Sequence, residues 1–286
     1  MNKGKTKMDY TSSIIKYIKE ADGYLKSILY TMSPLYKEEN GSCQDVTVPL
    51  FTSLHSTSEG ILILLVHRGI YEADILLRCV MEGTIKYCYL MNGSEEEKKE
   101  KYIEYKEKLY EIAQIADHRK AIEAVEILKE FSENSIRPIE VDILQEEKLI
   151  ELQKKYPVKM RNELKRKWSY QEMLRSLAKL NEGYKAQLGT LATYSMTSHF
   201  CHFDWNGVYN RQTQLIYSQY ENADVWDIAH GLRILSNVMS MELFRVMEYI
   251  KNSKIDLSKV VQISLEMLNL IHEVDDLGNK IIEENL

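Results

Sequence analysis

The chain has 286 residues, enough to bury a sizeable core in one domain or two. It is 44% hydrophobic and 28% charged, and its 4 prolines and 12 glycines favour long uninterrupted helices. A net charge of -6 excludes a general attraction to nucleic acid or to anionic membranes and leaves that role to a local basic patch.

Residues 1–7 are followed by polar residues, which does not match a signal peptide. Apolar and polar residues then alternate at helical spacing through Ile14, Ile18, Leu25 and Leu29, and Pro34 ends that helix. Residues 37–49 read as a loop. Ser56-x2-Glu59 has the form of a capping box and opens a helix to about Met91, apolar nearly all round and stopped by Asn92-Gly93. Gly60, Gly69 and Gly83 offer close approach or a bend. The most apolar run, residues 61–66, falls short of the roughly 20 residues a bilayer span needs.

Ser94-x2-Glu97 is a second capping box, opening a highly charged stretch to about residue 134. Pro138 and Pro157 bracket another amphipathic helix, and residues 95–160 read as a helical hairpin inserted in a single domain of residues 1–286. Residues 159–167 form the one basic cluster, a solvated face or a phosphate contact. Ser169-x2-Glu172, behind Trp168, is a third capping box before short helices over about 170–180 and 184–202. Residues 204–220 look irregular around Asn206-Gly207, and Asp224 and Asp256 cap two long final helices. No strand-like alternation or fixed repeat occurs, so the fold class is all-α, a helical bundle with a charged helical insertion.

The four cysteines, Cys43, Cys79, Cys88 and Cys201, form no C-x2-C pair, which favours free thiols, with Cys79 and Cys88 buried on the apolar helix. Cytoplasmic residence, with no membrane partner, is the expectation. Two-fold self-association is the commonest default for such a chain.

Two segments carry the chemistry. Asp74-x3-Arg78-x3-Glu82-x3-Lys86 puts alternating charges on one face of the apolar helix, either as a ladder of ion pairs or as a site. There Arg78 would orient an anion and Glu82 would act as base or steer a histidine. Tyr194-x3-Ser198-His199-x2-His202-x-Asp204 puts Tyr194, Ser198 and His202 on a second face. His202 is the acid/base candidate, because imidazole titrates near neutral pH. Ser198 is a further candidate catalytic group, and Tyr194, His199, Asp204 and Arg211 are candidate binding groups. His199, His202 and Asp204 would be the ligands in a weaker, metal-dependent reading, and no metal is assigned. His230 and His272 default to core or surface roles. No nucleotide-binding glycine pattern, nucleophile elbow or kinase motif occurs, and no cofactor is expected.

The pattern of Arg78-x3-Glu82 on an apolar helix, then Trp168-Ser169, then Tyr194-x3-Ser198-x3-His202, resembles the bacterial domain-of-unknown-function family 5677 over about residues 50–250. That resemblance implies a helical bundle of the wider set containing HEPN nucleases and abortive-infection proteins. It also implies a role in phage defence or toxin–antitoxin biology, with RNA or a nucleotide as ligand. HEPN ribonucleases carry an arginine and a histidine on one helix with four to six residues between them, and this chain has no arginine preceding a histidine at that spacing. Arg78 and His202 would have to meet from different helices. The rival readings are a non-catalytic ligand-binding module and a metal-dependent hydrolase.

Overall fold

A computed structural model of the chain describes residues 10–33, 44–130, 136–217, 223–252 and 257–285. These residues are almost wholly helical, with no strand among them. They pack as two compact units: Met1–Asn92 with Leu174–Leu286, and Gly93–Met173.

In the first unit, α1 (Tyr10–Met32), α2 (Gln44–Val66) and α3 (Ile70–Met91) pack with α13 (Ala223–Asn252) and α14 (Ser258–Asn285). The apolar stripe expected near the N-terminus is real: Ile14, Ile18 and Leu25 are buried and Leu29 is half-buried. Helix α2 begins earlier than the sequence suggests, so residues 44–49, expected as loop, are helical despite Pro49. Burial of Val46, Thr47 and Phe51 outweighs the backbone hydrogen bond that Pro49 cannot donate. Residues 37–43, the rest of that expected loop, lie outside the described residues, as does Asp256. By length and composition, Asp45–Val66 is the one described helix apolar enough to cross a bilayer; here it packs against α1, α3 and α13.

The single long helix expected over residues 56–91 is two. Ser56 lies inside α2 and caps nothing; the neighbouring hydroxyls bond back one turn, Ser58 to the Leu54 carbonyl and Thr57 to that of Ser53. The chain turns at residues 67–69, where the Gly69 N–H bonds the Leu64 carbonyl at 2.8 Å and the Arg68 N–H that of Leu65 at 3.2 Å. This is a Schellman cap, with Arg68 at φ 61 where glycine is usual. The Arg68 guanidinium reaches Asp224 at 2.6 Å and Asp227 at 2.7 Å, so the first turn of α13 holds the corner.

Smaller helices complete this unit: α10 (Glu182–Ala186), α11 (Thr190–His202) and α12 (Trp205–Tyr217). Residues 204–217, expected to be irregular, are thus mostly helix. Asp204 caps α12, its carboxylate accepting the Gly207 N–H at 3.1 Å and its carbonyl that of Val208 at 2.9 Å. The Asn206-Gly207 pair marks a close crossing, not a turn. A Cβ on Gly207 would sit 2.3 Å from the His199 carbonyl oxygen.

The second unit holds α4 (Glu95–Ile103), a π-turn (Glu104–Lys108), α5 (Leu109–Leu128), α6 (Arg137–Glu140), α7 (Glu146–Lys155) and α8 (Val158–Lys167). Ser94 and Glu97 form the expected capping box, with bonds of 2.7 and 3.2 Å. The helix expected between Pro138 and Pro157 is interrupted: a short helix, Arg137–Glu140, contains Pro138, and Glu146–Lys155 follows it. The π-turn carries Glu104, which is buried and accepts from Trp168 Nε1 at 2.9 Å and Lys167 Nζ at 2.8 Å. Trp168 also stacks on Tyr105, with centroids 5.5 Å apart. The tryptophan of the family pattern is therefore an internal tie of this unit. Helix α9 (Tyr170–Leu180) spans the boundary between units, and the Ser169 hydroxyl caps it, accepting the Glu172 N–H at 3.4 Å.

Candidate functional site

The polar stripe of α3 does not act as one ladder. Its last rung is an ion pair, Lys86 to Glu82 at 3.6 Å. Arg78 and Glu82 are joined through a third residue: Arg78 Nη2 donates to the Tyr194 hydroxyl at 3.2 Å, and that hydroxyl donates to Glu82 at 3.0 Å. The guanidinium also lies over the Tyr194 ring, 4.8 Å from its centre. Burial first, and then the Glu82 carboxylate, push the Tyr194 phenol above its usual range. The two remote segments thus meet, and their meeting fastens α11 onto α3.

The histidine does not join them. His202 is exposed at the last residue of α11, and among the described residues it has no hydrogen bond or ion pair with Arg78 or Glu82. Ser198 is half-buried on the same helix and bonds neither histidine. His199 Nδ1 lies 2.5 Å from Asp204 Oδ2, and this imidazole together with the Gly207 N–H holds the Asp204 carboxyl below its usual range. Arg211 donates to Glu72 at 2.7 Å and covers the Tyr71 ring. Among the described residues no three His, Cys, Asp or Glu side chains are grouped to hold a metal ion. Cys88 is buried, its thiol pushed up to about 12 by burial, whereas Cys79, expected to be buried, is exposed.

Asp74 makes the arrangement that spacing on α3 could not disclose. It is fully buried, and it faces α13 instead of Arg78. Its Oδ2 lies 2.5 Å from His230 Nε2, and Arg233 Nη2 donates to Oδ1 at 3.2 Å. A buried carboxylate is stable only when paired, and here two groups one helical turn apart pair it. The reverse also holds: the carboxylate fixes the imidazole and the guanidinium in place. His230 and Arg233 form part of the wall of a cavity of about 600 Å³, with Asn210, Thr213, Trp226 and Asp275 around it. Arg233 is tied through Nη2 and is about one-third exposed, so its other nitrogens can meet a ligand.

The sequence does not single out His230 and Arg233 as a site. An i, i+3 His–Arg pair on an amphipathic helix is common, and the one signal pointing to them is a lone Asp74 among apolar residues.

Three further ionisable groups, His55, Glu242 and Arg245, are buried together. His55 Nδ1 lies 3.3 Å from Glu242, Arg245 pairs with Glu242, and Arg245 Nη1 donates to Thr84 at 2.5 Å. Burial would raise the Glu242 carboxyl, but Arg245 and His55 together overcome it and hold it below its usual range.

Fold and site together define an all-helical bundle protein whose cavity is bordered by an imidazole and a guanidinium anchored on one buried carboxylate. Residues 44–214 match a family of unknown function (DUF5677), and the chain belongs to that family. No curated protein and no solved structure matches it. The matched residues include Asp74, Arg78, Glu82, Tyr194 and His202, whereas His230 and Arg233 lie beyond them.

Proposed function

We propose that this protein is a cytoplasmic bacterial effector of the defence or toxin type, acting on a phosphate-bearing ligand, RNA or a nucleotide, in the cavity beside Asp74. The observation that carries the reading is the fully buried Asp74 carboxylate bonded to both His230 and Arg233 at the cavity wall. Arg233 holds a phosphate oxygen with the nitrogens not bonded to Asp74. His230, steered by the carboxylate, takes and returns the proton of the attacking or leaving oxygen. Asp74 positions His230 and does not itself touch ligand. The resemblance carried by Arg78, Glu82, Tyr194, Ser198 and His202 supports the defence assignment. The acid/base role is given to His230 because His202 is exposed and, among the described residues, makes no hydrogen bond or ion pair with Arg78 or Glu82.

Purified protein incubated with total RNA, and with a chromogenic phosphodiester, tests this. Wild type cleaves, and His230→Ala, still folded by circular dichroism, loses at least about a hundredfold in rate, as removal of a general acid or base does. Equal cleavage by the two proteins removes His230 from the chemistry. A second reading, binding of the same anion without turnover, is favoured by the open cavity and the part-exposed guanidinium.

A further inference from the structure

The cavity beside Asp74 joins the first half of α13 to the second half of α14. A second cavity, of about 550 Å³, joins Met247 near the end of α13 to Val261 near the start of α14, so the two helices run antiparallel. On α13 the wall of the first cavity carries Trp226, His230 and Arg233, at i, i+4 and i+7 on one stripe. On α14 it carries Asp275, Asn279 and Ile282, with the same spacing in the opposite sense. Trp226 and Ile282 therefore border one end, and Arg233 and Asp275 the other, about 10 Å of helix away. Trp226 is 41% exposed, and among the described residues its ring meets no other ring and no cation. Asp275 is exposed and has no hydrogen bond or ion pair among them.

We infer that this cavity takes one ribonucleotide unit, its base between Trp226 and Ile282, its phosphate on Arg233 and a ribose hydroxyl on Asp275. The inference rests on the phosphate-ligand reading above and deepens it by naming the substrate class and the residues that select it. Three demands converge on the same ligand. Arg233 asks for an anion through the nitrogens that Asp74 leaves unused. Asp275 at the same end opposes a bare phosphate dianion, and favours a ligand that carries O–H donors beside its phosphate. Trp226 offers a flat apolar face that only a ring can cover fully. Inorganic phosphate meets the first demand alone. A sugar phosphate meets the first two. A ribonucleotide meets all three, and it lies along the cavity with its ribose–phosphate link beside His230, where the proton transfer is placed. A cavity of about 600 Å³ is the size of a small-molecule site.

The test is isothermal titration of the full chain with the four 5′-ribonucleoside monophosphates, their 2′-deoxy counterparts, ribose 5-phosphate and inorganic phosphate. At least one ribonucleotide binds about tenfold or more tightly than ribose 5-phosphate, and inorganic phosphate binds most weakly. Trp226→Ala loses about tenfold in affinity for that nucleotide and leaves ribose 5-phosphate unchanged, whereas Trp226→Phe, which keeps a ring, retains most of the affinity. Arg233→Ala weakens both ligands. Asp275→Asn narrows the preference for the ribonucleotide over its deoxy counterpart. Equal binding of nucleotide and ribose 5-phosphate, wild-type nucleotide affinity in Trp226→Ala, or no binding of any monophosphate overturns the inference. This pattern of affinities together with RNA cleavage that survives His230→Ala would remove the chemistry proposed above and leave the nucleotide site standing. Cleavage that needs His230, without any nucleotide preference, would do the reverse.

Discussion

Asp74 shows how much one buried residue decides. Its neighbours on α3 are apolar, and its carboxylate is completely withdrawn from solvent, so its partners on α13 are obligatory. Glu242 is the second such case and gives the sharper stability test, since Arg245 beside it is also fully buried. Glu242→Ala leaves Arg245 without its carboxylate and should cost about 3–5 kcal/mol in urea unfolding. A loss below about 1 kcal/mol would mean that water reaches the site. The sign with pH follows from the depressed folded carboxyl. Its contribution is present above the ordinary glutamate value of about 4.3 and is lost as pH falls through the lower folded value. Wild type should therefore lose stability below about pH 4.3 more steeply than Glu242→Gln, read as unfolding midpoints across that range.

At the scale of elements, helix ends and crossings are set by contacts that local spacing does not contain. The capping-box pattern at Ser94 and Glu97 is a helix start, yet the same pattern at Ser56 and Glu59 lies within a helix, because α2 buries a continuous face through it. Asn206-Gly207 likewise looks like a turn but exists because two backbones touch there. Gly207→Ala must push α12 off the His199 carbonyl and should cost about 1–3 kcal/mol, the usual range for overpacking. At Gly23 in α1 an added methyl would meet nothing within 4 Å, so Gly23→Ala should instead gain about 0.5–1 kcal/mol. Thermal melts of the two variants against wild type check both signs together, and a neutral Gly207→Ala would show that the crossing can slide.

For the whole molecule, the two compact units differ in charge as the sequence does. The charged stretch and the basic cluster at residues 159–167 belong to Gly93–Met173, while Asp74, Arg78, Glu82, Tyr194, His202, His230 and Arg233 lie in the other unit, whose two chain segments come from either side of it. A ligand that binds only the folded cavity stabilises that unit by mass action, by about 2.7 kcal/mol at a hundredfold excess over its Kd. Inorganic phosphate or a nucleotide should therefore raise the melting temperature of wild type and not of Arg233→Ala. An equal rise in both would place the anion elsewhere.

That this protein is all helical can be read along the chain, because periodicity, few prolines and capping residues are local properties. The same reading marks Asp74, Arg78, Glu82 and Tyr194 as polar groups needing a reason, and the Trp168 and Tyr194 patterns point to the family that residues 44–214 match. Which partners those groups have was settled by the packing of the helices alone. Asp74 meets His230 across 156 positions, and Arg78 meets Tyr194 across 116, whereas among the described residues His202 bonds neither Arg78 nor Glu82. A hydrogen bond between helices depends on where their axes cross, and no spacing within one helix records that.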